Sequence, residues 1–263
     1  MLRSGRVKNE GVRLSAPEVL HIGERARGAL ARSGGVARPL AGFADAPYLE
    51  ACGEVIWVGA RLPVRHPRAV LTSAPPPRGA ALRFASLPER GWSRGLPVLS
   101  GGSAAGALLS DLRPQLPRGL PAQRVHALAA AYLRDDPQGV FDAALPLLGT
   151  GPGFTPSGDD VAGAALFGRR CLDPRAARWR AVAENLALEA VGRSHAVSAA
   201  LFADLAHGES FEPLHELVEA LACGARERAG SAARALAAIG HSSGCDMLAG
   251  LAIGMGIALS DAT

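Results

Sequence analysis

The chain has 263 residues, 48% of them hydrophobic, enough for one large domain or two modest ones with a sizeable core, and this excludes wholesale disorder. Residues 1–100 carry 15 basic and 7 acidic side chains and residues 101–263 carry 13 and 17. The basic half scatters its arginines among Gly, Ala and Pro, with no basic helix or aromatic ladder, so nucleic acid is not an expected partner.

Lys8 is the only lysine, which nearly excludes a catalytic lysine. The four cysteines form no CxxC pair, and the first residues hold no apolar run of the signal-peptide kind. Both points lead to the expectation of reduced thiols in a cytoplasmic protein. The longest apolar run, Met247 to Leu259, has 13 residues. A bilayer span needs about 20, so a buried helix is expected there and no membrane partner.

Val12 to Leu30 is read as a strand and a short helix. From Tyr48 to Phe84, short apolar runs such as EVIWVGARLPV alternate with Gly and Pro, the pattern of strands and turns. Residues 85–119 are rich in Pro, Gly and Ser and are read as an irregular connector. From Pro121 onward apolar residues recur at three- and four-residue spacing. Seven or eight short-looped helices are expected: AQRVHALAAAYLRDD, VFDAALPLL, VAGAALFGRRCL, a helix opening at Pro174, one capped by Ser194 and ended by Gly208, FEPLHELVEALACG, ARERAGSAARALAAIG and the final apolar segment. The expected fold is α+β: a β-rich domain over 1–105, with the connector at its end, then an all-α domain over 106–263.

The helical half contains a repeat. Ser157-Gly158-Asp159-Asp160 and Ser243-Gly244-Cys245-Asp246 share Ser, Gly and Asp at an offset of 86, and Gly168 and Gly254 follow at the same offset. Ser-x-x-Asp at a helix start is a variant of the capping box, so each block can be a cap. A cap needs neither the preceding GTGPGFTP nor His241-Ser242, which add hydroxyls and amides at the same helix ends. If the two small-residue helices pack together, both N-termini converge and form an anion site, with aspartates that hold an amide or Mg²⁺.

Other motifs fail. The Walker lysine position holds Asp159, and GxGxxG spacing breaks after Gly153. Gly240-His241-Ser242-Ser243-Gly244 fits GxSxG, but helix precedes it and no histidine follows. His241 is either a general acid/base or part of the turn.

LLGTGPGFTPSGDDVAGA, then SHAVSAALFADLAHGE, then IGHSSGCDMLAGLAIG, in that order, resemble the AllH-like family. That bacterial family includes one subunit of the oxamate carbamoyltransferase of anaerobic allantoin breakdown. The resemblance implies an enzyme that phosphorolyses oxalurate to oxamate and carbamoyl phosphate together with two other subunits. His195 departs from the small hydroxyl residue expected at its position. Phosphate and carbamoyl phosphate are anions, and the charged tetrahedral species of carbamoyl transfer is stabilised by fixed donors.

The candidate catalytic residues are Asp159, Asp160, His241 and Asp246. Candidate substrate contacts are Gly151, Gly153, Thr155, Ser157, Gly158, Ser242, Ser243 and Gly244, with Arg193 as either a charge partner or a solvated surface residue. Ser242 is the one placed nucleophile and has no identifiable base, which favours direct transfer. Mg²⁺ is the candidate cofactor, on Asp159, Asp160 and Asp246. A Mg²⁺-dependent hydrolase of a small anionic substrate and a non-catalytic partner-docking subunit stand as alternatives.

Overall fold

The computed structural model describes residues 13–40, 48–62, 64–99, 102–152 and 154–259. The fold is α+β, and the chain divides into two compact units, Met1–Ser93 and Arg94–Thr263.

Among the described residues the first unit forms a seven-stranded mixed sheet. Its strands are β1 (Arg13–Ser15), β2 (Val19–Ile22), β3 (Val36–Pro39), β4 (Tyr48–Ala51), β5 (Glu54–Gly59), β6 (Ala69–Thr72) and β7 (Ala81–Arg83), in the order β1-β7-β3-β4-β5-β6-β2. The pairs β1–β7 and β5–β6 are parallel and the others antiparallel. Helix α1 (Glu24–Arg32) places Ala26, Ala29 and Leu30 in the core formed with Ile22, Ile56, Val58, Val70 and Leu82. β4 and β5 are joined by Cys52-Gly53, both at positive φ (50° and 78°), the two-residue turn whose twist suits a hairpin. Strand β3 is absent from the sequence reading. It follows the Gly34-Gly35 turn and is only four residues long, too short for an alternation to show.

The second unit is helical. Helix α2 (Gly102–Asp111) lies inside the stretch expected to be irregular. Its Gly and Ser content hid it, but Ala105 and Leu109, four apart, are both buried. Then come α3 (Ala122–Leu133), α4 (Pro137–Ala144) with a 3-10 turn at Leu145–Leu147, α5 (Ser157–Leu172), α6 (Ala177–Arg193), α7 (Ala196–His207), α8 (Glu212–Ala222), α9 (Arg226–Ala237) and α10 (Ser243–Gly254). Helix α6 begins three residues after Pro174, and α10 stops before Gly256, whose φ of 72° turns the chain out of the helix. α7 ends on Gly208 in the left-handed conformation, as expected. Among the described residues no helix is long and apolar enough to cross a membrane.

Helix α5 is buried almost all round, and α10 lies along it at backbone contact. A Cβ added at Gly254 would lie 2.0 Å from the Ala165 carbonyl oxygen, and one at Gly250 2.3 Å from that of Val161. One at Gly168 would lie 2.9 Å from that of Leu251. Gly168 and Gly254, like Ala165 and Leu251, stand 86 residues apart. Each glycine therefore meets the counterpart of the other's partner, as across a local twofold axis. This reciprocity brings the two repeated blocks to the same end of the helix pair.

Candidate functional site

Two expected caps do not form. The N-cap positions are Pro156 for α5 and Ser242 for α10, and neither makes a side-chain cap bond. Ser157 and Ser243 are the first helical residues, with hydroxyls directed elsewhere. Ser194 does not cap α7 either. That role falls to His195, whose Nδ1 accepts from Ser198 N at 3.4 Å.

Asp159 binds the glycine loop to the α6–α7 junction. Its Oδ1 accepts from Gly149 N at 2.7 Å, and its Oδ2 accepts from Ser194 Oγ at 2.5 Å and Ser198 Oγ at 2.6 Å. Gly149, at φ 72°, is needed for this approach, because a Cβ there would lie 2.1 Å from the Arg193 carbonyl oxygen. His195 makes a second attachment. Since its Nδ1 accepts, its Nε2 carries the proton and donates to the Phe154 carbonyl, and the two rings pack with centroids 5.3 Å apart.

The two Ser-Gly-x-Asp blocks meet crosswise. Thr155 Oγ1 donates to Asp160 Oδ2 at 3.1 Å and lies 2.7 Å from Ser243 Oγ, so the serine of the second block faces the aspartate of the first. The hydroxyls of Ser157 and Ser242 in turn face Asp246. This second pairing is the looser: Ser157 Oγ and Asp246 Oδ2 are buried without a hydrogen bond of ordinary geometry.

Residues 147–255 match the family model described as oxamate carbamoyltransferase subunit AllH. Over that segment, within the helical unit, the chain is similar to this family. The matched segment contains the glycine loop, the α6–α7 junction and the start of α10, and the loop touches each of the other two. No solved structure matches the chain.

Burial dominates the electrostatics of the junction. Loss of solvent pushes the Asp160 carboxyl well up from the usual range. The Ser243 and Thr155 hydroxyls oppose that rise, and the nearby Asp246 and Asp159 charges add to it. Asp246 is raised by the same loss of solvent, with Ser157 and Ser242 opposing.

A carboxyl whose folded pKa is raised contributes its stability below the unfolded value of 3.8 and loses it as pH rises through the folded pKa. Asp160→Asn is therefore expected to raise the melting temperature in mildly alkaline buffer and to flatten its pH dependence. A pure helix-end role for the charge predicts the opposite, a lower melting temperature, so thermal unfolding of the variant decides between them.

The remaining sequence candidates separate into inner and outer groups. A Cβ at Gly158 would lie 1.9 Å from the Leu147 carbonyl oxygen and one at Gly244 1.7 Å from that of Leu236. The close approach at both positions is made by the chain's own carbonyls. The amides of Gly158, Asp159, Gly244 and Asp246 donate to Thr150, Pro156, Ile239 and Ser242 carbonyls. The helix ends thus use these donors internally.

On the outer side, Thr155, Ser242 and Ser243 are half-buried, while Gly151 and His241 are exposed. Gly153 lies outside the described residues. Arg193 pairs with Glu189 at 3.0 Å on an exposed turn of α6. Among the described residues no three His, Cys, Asp or Glu side chains gather as a metal-binding group.

Sequence reasoning did not anticipate Ser194 and Ser198 as partners of Asp159. A signal was present: two hydroxyl residues four apart at a helix start place both oxygens on one side.

Proposed function

We propose that this AllH-like chain serves as a subunit of a carbamoyltransferase-type enzyme, and that its small anionic substrate, of the oxamate or oxalurate kind with phosphate or carbamoyl phosphate, meets the chain where the starts of α5 and α10 touch. One observation carries this reading. The first and third of the sequence blocks that make up the family resemblance, far apart in the chain, meet at one junction, with Thr155 and Ser243 hydroxyls 2.7 Å apart, and the second block holds the loop that carries Thr155.

The half-buried hydroxyls of Thr155, Ser242 and Ser243 offer donors for phosphate oxygens or for the oxyanion that develops as the carbamoyl carbon becomes tetrahedral. Asp160 and Asp246, held behind them, accept from the N–H groups of a carbamoyl or amide function, which fixes its orientation. The positive ends of both helices favour negative charge at that point. With Asp246, the carboxyl that the Ser242 hydroxyl faces, engaged by the N–H groups of the substrate, the transfer runs directly between the two bound substrates rather than through a covalent intermediate.

A second reading rests on a different observation. Gly158 and Gly244 are filled by the chain's own carbonyls, and Asp159 is taken by three protein donors. That pattern also suits a non-catalytic subunit whose loops hold a docking surface in shape.

Isothermal titration with phosphate and with carbamoyl phosphate separates the two, performed on the chain alone and with its co-expressed partner subunits. The first reading expects binding that weakens at least about tenfold in Ser243→Ala, the loss of about one charge-assisted hydrogen bond. Absence of binding in both preparations, or identical affinity in wild type and Ser243→Ala, leaves only the docking reading.

A further inference from the structure

We propose that Asp159 is a positioning residue that latches the glycine loop onto the α6–α7 junction and does not itself touch a ligand, leaving Asp160 and Asp246 as the acids that do. The inference deepens the functional reading above and rests on it for the identity of the site.

Adjacent aspartates at a helix start look interchangeable in sequence, but a helix separates neighbours by 100° and sends them to different faces. Asp159 points back toward the loop and the α6–α7 junction. Asp160 points across to α10, where Thr155 and Ser243 face it.

Asp159, Asp160 and Asp246 are all buried, so what separates Asp159 is its partners. Its two oxygens accept three short hydrogen bonds from three separate places: the Gly149 amide in the loop, Ser194 after α6 and Ser198 in α7. A carboxylate offers about four lone-pair positions, and three are used. What this arrangement controls is the path of the loop. Gly149 is fixed at one end by Asp159. Phe154 is fixed near the other by His195, itself the cap of α7. Thr155, the next residue, is thereby delivered to Asp160 and Ser243. The second sequence block thus acts on the junction through the loop, without reaching it. It also gives His195 a use at a place where a small hydroxyl residue was expected: its long ring spans from the start of α7 to the loop carbonyl.

Amide hydrogen exchange on the full chain, with Asp159→Ala, Asp159→Asn and the milder Ser198→Ala, tests the latch, and phosphate titration of the same proteins tests its consequence. Asp159→Ala is expected to speed exchange at Gly149 and along the rest of the loop by about ten- to a hundredfold, the loss of one or two charge-assisted hydrogen bonds, while α8 and α9 stay protected. Asp159→Asn should restore most of the protection, because its amide oxygen still accepts from Gly149 N. Ser198→Ala should fall between, and it keeps the test open if Asp159→Ala does not fold. Phosphate affinity should follow loop exchange across the series.

Unchanged loop exchange in Asp159→Ala, or exchange that rises equally in α8 and α9, overturns the latch. So does an Asp159→Asn protein with a protected loop and lost phosphate affinity, which would place the carboxylate on the ligand. If wild type binds neither phosphate nor carbamoyl phosphate, alone or with its partner subunits, the functional reading fails, and exchange alone decides the role of Asp159.

Discussion

Gly254→Leu is expected to leave the helical unit without a stable fold, a loss of more than about 4 kcal/mol set against a total of about 5–15 kcal/mol for a typical domain. The added Cβ would fall 2.0 Å from the Ala165 carbonyl oxygen, 2.7 Å from its carbon and 2.9 Å from its Cα. These are backbone atoms of a helix that is itself buried, so no rotamer change relieves the contact and the axes of α5 and α10 must part. Ordinary overpacking costs about 1–3 kcal/mol because side chains can shift, and that route is closed here.

Parting the axes also pulls Ser243 away from Thr155 and Asp160, so any residual folded protein loses the junction. Gly192→Leu is the control. It lies in α6, where nothing stands within 4 Å of an added Cβ, and replacing a helical glycine there should be neutral or stabilising by up to about 1 kcal/mol. Circular dichroism melting of the two proteins reads the contrast. A cooperative transition for Gly254→Leu near the wild-type temperature would show that α5 and α10 do not pack as described.

The same helix pair shows what the sequence could disclose. The two blocks at an offset of 86 and the small residues behind them pointed to two helices in close contact, and those helices are α5 and α10. Local pattern also marked α3, α5, α7, α8 and α9, because their apolar residues recur at helical spacing over several turns. What it could not disclose was direction. Ser157 and Ser243 looked like caps, since that is the commonest use of serine at a helix start. Their actual orientation depends on a neighbouring helix almost ninety residues away. Asp159 and Asp160 looked like a pair for the same reason. Only the packing of α6, α7 and α10 around α5 assigns one to a loop and the other to a junction. Helix α2 was hidden by composition, as Gly and Ser lower its intrinsic propensity and tertiary contacts of Ala105 and Leu109 restore it.

Acid should weaken the helical unit through His215, a residue the site does not use. Its side chain is fully buried on α8, with the Phe167 ring edge-on at 5.3 Å. Loss of solvent is the main cause that brings its pKa from 6.5 down to about 4, the Arg94 charge adds to it, and a backbone hydrogen bond at Gly95 opposes. Arg94 is itself paired with Glu219 at 3.2 Å, which tempers its effect on the ring.

With the folded value below the unfolded one, the unfolded chain takes up the proton first as pH falls. The contribution of neutral His215 is therefore complete above 6.5, declines between 6.5 and about 4, and is gone below that interval. At about 1.4 kcal/mol per unit of difference, the loss is on the order of 3 kcal/mol.

Asp160 and Asp246 act with the opposite sign, since their raised values mean that the folded chain takes up protons first as pH falls. Wild-type stability is a sum of the two and conceals each. His215→Leu, which keeps the apolar volume and cannot be protonated, should remove one of them. Urea unfolding across the interval from 6.5 to about 4 should then show the variant less acid-sensitive than wild type, with up to one proton fewer taken up on unfolding. Parallel pH profiles for the two proteins would mean that water reaches the imidazole, and that Phe167 and α8 do not enclose it.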